Sequence, residues 1–167
     1  MDEQDIAGLG ADALGNGADN QPVIGMISQY VKDLSFENPA APAIYQEQGT
    51  PNIDVQFNIG SSQVGDDLHE VVLKMDVKST VGSTVAFVVD LTYAGLFGIR
   101  NLPNETVQAF MLGEAPRLLF PFARRVLADA VRDGGFAPLL LDPIDFNTLY
   151  TQQVQQQLAG TEAAGNA

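Results

Sequence analysis

Between Met26 and Ile99 the chain alternates apolar and polar residues with a period of two, and after Leu102 that period gives way to a helical one. This feature limits the possible folds most, because a two-residue period sends successive side chains to opposite faces of a sheet. Ile53, Val55, Phe57 and Ile59 alternate with Asp54, Gln56 and Asn58. Val71, Leu73, Met75 and Val77 alternate with Val72, Lys74, Asp76 and Lys78, and Val85, Phe87, Val89, Leu91 and Tyr93 with Ala86, Val88, Asp90 and Thr92. An earlier stretch puts Tyr30, Leu34 and Phe36 on one side and Asp33 and Glu37 on the other. These read as four strands, each with one apolar face. Val81-Gly82-Ser83 marks a short hairpin between the third and fourth. The Pro-punctuated stretch Asn38–Pro51 separates the first from the second and suits a crossover better than a tight turn.

In the helical half, Thr106–Gly113 allows a short helix before Pro116. Leu119, Phe122, Ala123, Val126, Leu127, Ala130 and Val131 then form an apolar stripe, with Arg117, Arg124, Arg125, Asp129, Arg132 and Asp133 on the other side. Pro121 is expected to kink this helix or sit in its first turn, and Gly134-Gly135 to stop it. Asp145 is placed to cap a last helix carrying Phe146, Leu149, Tyr150, Val154 and Leu158. Strands followed by helices predict an α+β fold, a four-stranded antiparallel sheet with helices packed on one face.

The ends differ from the body. Residues 1–22 hold five acidic residues and no basic or aromatic one, and are expected to be disordered. The tail 159–167 is expected to be flexible, which leaves 23–158 as a single domain. The chain of 167 residues carries 8 basic and 21 acidic side chains, a formal charge of -13. Phosphate backbones and anionic lipid repel such a chain, which argues against nucleic acid as a partner and against direct membrane insertion. No apolar run approaches the ~20 residues of a spanning helix, and no basic-then-apolar start suggests a signal peptide. The absence of cysteine excludes disulfides, thiolate metal sites and thiol nucleophiles, and fits a reducing cytoplasm.

A search for chemistry finds little. His69 is the single histidine, so a Ser–His–acid arrangement would have to use it, and no nucleophile elbow accompanies it. Asp66-Asp67 reads as a turn before a strand, and Asp142 and Asp145 as helix-start residues. Gly8-Leu-Gly10 lacks the third glycine and the preceding strand of a dinucleotide fingerprint. The arginines from Arg117 to Arg132 are interleaved with Asp129, which suits a solvated or partner-facing helix side. No enzyme activity, metal or cofactor is expected.

Several blocks in order, however, carry a resemblance. Lys32-Asp-Leu-Ser-Phe-Glu-Asn-Pro-Ala-Ala-Pro42, Leu68-His-Glu-Val-Val-Leu-Lys-Met-Asp-Val77, Ala94-Gly-Leu-Phe-Gly-Ile99 and a long stretch from Leu119-Phe-Pro-Phe-Ala-Arg-Arg to Asp145-Phe-Asn-Thr-Leu-Tyr150 resemble the SecB family of bacterial protein-export chaperones. The resemblance spans about residues 24–158. It implies a cytoplasmic homotetramer, a dimer of dimers, that binds unfolded export-bound precursors without ATP and passes them to SecA, the motor ATPase of the translocase. By this resemblance the motor-docking acids fall at Asp33, Glu37 and Asp90, and the client groove at Phe36, Tyr45, Ile53, Val55 and Phe57, with Phe146 and Tyr150 as neighbours. Val89, Leu91, Tyr93, Leu119 and Val126 are assigned to the oligomer interface. Where many members carry a tryptophan in the crossover this chain has Gln48-Gly49, and its N-terminal tail is longer than usual.

Two rival readings remain open from the residues: a small apolar-ligand carrier enclosed by sheet and helix, and an enzyme built on His69. No basic residue alternates with Asp90 between Val85 and Tyr93, which leaves that strand's polar side negative.

Overall fold

The computed structural model describes residues 20–165, in which four strands run longer than the alternation requires. Strands β1 (Val23–Glu37), β2 (Asn52–Gly65), β3 (Leu68–Val81) and β4 (Thr84–Arg100) form one antiparallel sheet in the order β1-β4-β3-β2. Two tight turns account for the neighbours. Asp67 adopts a φ of 57° in the β2–β3 turn and Gly82 one of 60° in the β3–β4 turn, the left-handed conformation that short hairpins demand. β1 and β2 occupy opposite edges, so residues 38–51 cross the sheet as expected, and Ile44 of that crossover is buried in the core. Positions 1–19 of the expected acidic tail, with the Gly8-Leu-Gly10 fragment, and positions 166–167 lie outside the described residues.

The register assigns the faces. Met75 pairs with Leu91, Leu73 with Tyr93 and Val77 with Val89, so these side chains share the helix-covered face. In β1 the parity changes once within the expected strand. Val31 pairs with Tyr93 and Asp33 with Thr92, so Lys32 is an extra, bulged residue. The bulge moves Tyr30 to the open face, beside Asp33 and Glu37, rather than leaving it with Leu34 and Phe36 as strict alternation predicts.

The helical half is one continuous run rather than two helices divided at Pro116. Helix α1 (Asn104–Ala109) passes through a π turn (Phe110–Glu114) into α2 (Ala115–Asp133). Ala115 donates its N–H to the carbonyl of Phe110, five residues back, and the wider turn accommodates Pro116, which has no N–H for the ordinary ladder. Pro121 lies inside α2, beyond its first turn. The last helix, α3 (Phe146–Gly165), continues past Leu158 into the stretch expected to be a tail.

The core lies between α2 and the inner faces of β3 and β4, where Leu119, Ala123, Leu127 and Val131 pack on Val71, Leu73, Met75, Val89 and Leu91. The residues expected at the oligomer interface lie within or against this core. Val89, Leu91 and Leu119 are 0% exposed and Tyr93 6%, sealed by the chain's own helix, so none offers surface to a second copy. Val126 is half-buried at the margin of that core.

Candidate functional site

The helix side of edge strand β2 is not fully covered by the chain's own elements, and two open clefts of about 430 Å³ each lie along it. The first is bounded by Tyr45 of the crossover, Ile53 of β2, Phe87 of β4 and Phe136 and Leu139 of the segment after α2. Aromatic rings hold it together. Phe136 sits 4.9 Å from Phe87 and 5.5 Å from Tyr45 between centroids, and Phe36 stacks behind Phe87 at 6.0 Å. The crossover is pinned to the end of α2: the Tyr45 hydroxyl donates to the carbonyl of Gly134 at 2.7 Å and accepts from Asn38 Nδ2 at 2.7 Å. Gly135, at a φ of 87°, leaves room for the Tyr45 ring, since a Cβ there would lie 3.1 Å from it. A Cβ at Gly49 would stand 2.7 Å from Cγ1 of Val81, so a larger residue at that crossover position fits only if the Val81 side chain shifts.

The second cleft lies four residues further along β2. Phe57 and Ile59 form one side, Leu112 of the π turn and Ile144 the base, and Leu149, Tyr150 and Gln153 of α3 the other side. Phe120 joins the two sides, 6.5 Å from Phe57 and 5.7 Å from Phe146. Asp145 caps α3 by accepting from the N–H of Thr148 at 3.0 Å and from its hydroxyl at 2.6 Å. These bonds hold the Asp145 carboxyl below the usual carboxylate range.

The seven residues expected to form one groove therefore divide between two clefts. Tyr45 and Ile53 belong to the first, Phe57 and Tyr150 to the second, and Val55 is half-buried between them. Phe36 backs the first cleft without lining it, and Phe146, only 1% exposed, is a core anchor beneath the second. Tyr45, Ile53 and Phe57 keep 50%, 41% and 39% of their surface exposed. Phe136, Leu139 and Ile144 were missed. Their signal was an apolar run after Gly134-Gly135 without helical period, which fits an extended strap that packs across a sheet.

The acidic residues lie on the opposite, open face. Asp33 is level with Thr92, Glu37 with Val88, and Asp90 sits between Ser35 and Asp76. Burial and a hydrogen bond with Asp76 push the Asp90 carboxyl above its usual value, with Lys74 opposing and Glu37 adding to the shift. The face is not free of cations: Lys74 and Lys78 of β3 stand level with Thr92 and Val88. Across the same face Glu70 accepts from Tyr30 at 2.5 Å and from Lys32 at 2.8 Å. Burial alone would raise the Glu70 carboxyl, but the bonds from Lys32 and Tyr30 outweigh it and hold the group below its usual range.

His69 points to the helix side, level with Gln63 and Phe97, and burial lowers its pKa despite the charge of Asp67. Among the described residues no group of three or more acidic or imidazole side chains is placed to hold a metal. No helix among them is long and apolar enough to cross a membrane.

Comparison with known proteins gives this geometry a lineage. The family model for "Preprotein translocase subunit SecB" matches residues 17–157. The protein-export protein SecB of Rhizorhabdus wittichii is 61% identical over 159 residues, which cover 94% of this chain and 96% of that protein. That of Zymomonas mobilis is 52% identical over 164 residues, covering 97% and 100%. Among solved structures, a Mycobacterium tuberculosis SecB-like chaperone in complex with a ChAD peptide has the same fold, with a TM-score of 0.61 at 16% identity over 72% of this chain and 90% of that one. Matched in sequence over nearly its whole length and in fold over most of it, the chain belongs to the SecB family.

Proposed function

We propose that this chain is an ATP-independent holding chaperone of the cytoplasm, which binds unfolded, export-bound polypeptides and delivers them to the translocase motor SecA. The observation that carries the reading is the pair of open apolar clefts along β2, with Tyr45, Ile53 and Phe57 exposed in a chain of this family. An unfolded chain offers many short apolar segments, each too weak to hold alone. Several such clefts on one assembly multiply them through effective concentration, so selection of non-native chains needs no sequence code. Binding stabilises the unfolded state by mass action and needs no energy source. The clefts are open surface features and the core between α2 and the sheet is filled, which favours an extended polypeptide over an enclosed small apolar ligand.

The assembly we propose is a homotetramer. Ile24, Met26, Val31 and Leu34 lie on the helix side of edge strand β1, yet each is at least 37% exposed, and Phe122 of α2 is 43% exposed. A second copy is the economical cover for that apolar stripe. The open face, with Asp33, Glu37 and Asp90, is the proposed docking surface for SecA. The test is to mix purified protein with a denatured precursor and follow its refolding without nucleotide. Delayed refolding, reversed on adding SecA, is expected; unhindered refolding at excess chaperone rejects the reading.

A further inference from the structure

We propose that Glu114 is the positioning residue of the second cleft: by holding Asn147 at the root of α3 it fixes the helix that walls the cleft, and so sets how bulky a client side chain the cleft admits. The selectivity half of this rests on the client reading above; the anchoring half does not.

Helix α3 is attached to the rest of the fold chiefly at its first turn. Phe146 is buried, but after Tyr150 only Val154 is half-buried, and the described residues beyond it are exposed. The Asp145 cap ties α3 only to its own preceding residue. Among the described residues, one side-chain hydrogen bond links α3 to another element: Asn147 Nδ2 donates to Glu114 Oε2 at 3.1 Å. Glu114 is itself held, because Arg117 donates to both of its carboxylate oxygens, with Nε reaching Oε2 at 2.9 Å. Hydrogen bonds from Arg117 and Asn147 keep the Glu114 carboxyl below its usual range, so it remains a charged acceptor.

The local backbone serves the same contact. The π turn carries Gly113 and Glu114 together toward α3, and a Cβ on Gly113 would collide with Oδ1 of Asn147 and come within 3.4 Å of its Cα. A wide turn, a glycine and a paired carboxylate thus converge on one side chain.

Leverage makes this contact matter. Gln153 and Gln156, which rim the cleft, lie up to nine residues beyond Asn147, or about 13 Å at 1.5 Å per residue. A tilt of about 10° at the root therefore moves the rim by roughly 2 Å, comparable to the size difference between Leu and Phe side chains. A firmly rooted helix holds a cleft of defined width against Phe57, whereas a loose one accepts both side chains alike.

The test uses the full chain as Glu114→Ala and Glu114→Gln, the second retaining an amide oxygen for Asn147. Amide hydrogen exchange across residues 148–156 should quicken about five- to tenfold in Glu114→Ala and stay near wild type in Glu114→Gln, with β3 and β4 unchanged in both. Binding is then measured for two unstructured peptides identical except for one Phe or Leu. The wild type and Glu114→Gln should prefer the Phe peptide several-fold, and Glu114→Ala should bring the two affinities together. Unchanged exchange in Glu114→Ala overturns the anchor, and an unaltered peptide preference in a loosened helix overturns its role in selection. A wild type that binds neither peptide refutes the client reading and the selectivity with it, while the exchange result still decides the anchor.

Discussion

Lys32 shows how much one residue redirects. As the extra residue of a bulge it shifts the parity of β1 and brings itself and Tyr30 over β4 to Glu70, across the small, buried Ala94. Alternation alone placed Tyr30 on the apolar side, because a bulge adds a residue without altering the pattern on either flank. The acids at 33, 37 and 90 escaped that error, lying on the C-terminal side of the bulge or on another strand. Glu70 has its carboxyl pKa lowered by folding, so its contribution to stability is complete above the ordinary value of 4.5 and is lost as pH falls through the lower folded value. Glu70→Gln should therefore flatten the fall of the thermal midpoint between about pH 5 and pH 3, in denaturation curves of the two proteins. Asp90 has the opposite sign. Its raised pKa keeps a proton to higher pH than an isolated aspartate, so the open face loses negative charge early on acidification. Asp33→Ala, Glu37→Ala and Asp90→Ala should each weaken SecA binding several-fold in titration calorimetry while sparing client holding. Added salt should weaken the wild-type complex, because exposed charges are screened within ~10 Å at 0.1 M. Binding indifferent to all three substitutions and to salt would remove the face from the mechanism.

Elements were legible where their period was long and regular. The four strands and the stripe on α2 follow from spacing, because one buried face enforces it, while the crossover and the β3–β4 hairpin follow from their prolines and glycine. The π turn did not, since no residue pattern marks an i→i+5 bond, and Pro116 looked like a stop. The segment after Gly134-Gly135 was legible only as apolar, yet it supplies Phe136, Leu139 and Ile144 to the clefts. The division of β2 into two clefts makes a sharper forecast than a single groove. Ile53→Ser should weaken segments held in the first cleft and Phe57→Ser those in the second, each forfeiting up to about 1 kcal/mol of burial against a client, since about two-fifths of each side chain is left to cover. Thermal stability should fall less in either variant than in Val55→Ser, because Ile53 and Phe57 still keep 41% and 39% of their surface exposed in the chain alone. Val55→Ser, half-buried between them, should lower stability and holding together. Client affinities by fluorescence anisotropy, set beside melting curves, separate the two outcomes.

On the scale of the whole molecule, the proposed assembly uses the exposed stripe of β1 rather than the sealed residues of β4. Leu91→Arg buries an unpaired charge in the core and should unfold the chain, since such a charge costs several kcal/mol. Leu34→Arg places the charge on exposed surface and should leave the fold intact while dissociating the assembly. Native mass should then fall from near four times the 17.8 kDa chain mass toward the single-chain value, with circular dichroism unchanged. Sequence alone does not separate the sealed face of β4 from the exposed stripe of β1, because an apolar strand face reads the same whether a helix of its own chain or a second copy covers it. The strand order has a further consequence, for the protein's own birth. Among the described strands β1 leaves the ribosome first, yet its hydrogen-bonding partner, β4, begins only at Thr84. At ~5–20 residues per second it waits roughly 3–12 s with its backbone unpaired and its apolar stripe bare. During that interval the nascent chain presents the kind of extended apolar segment that, under the proposed function, finished copies of the same protein hold.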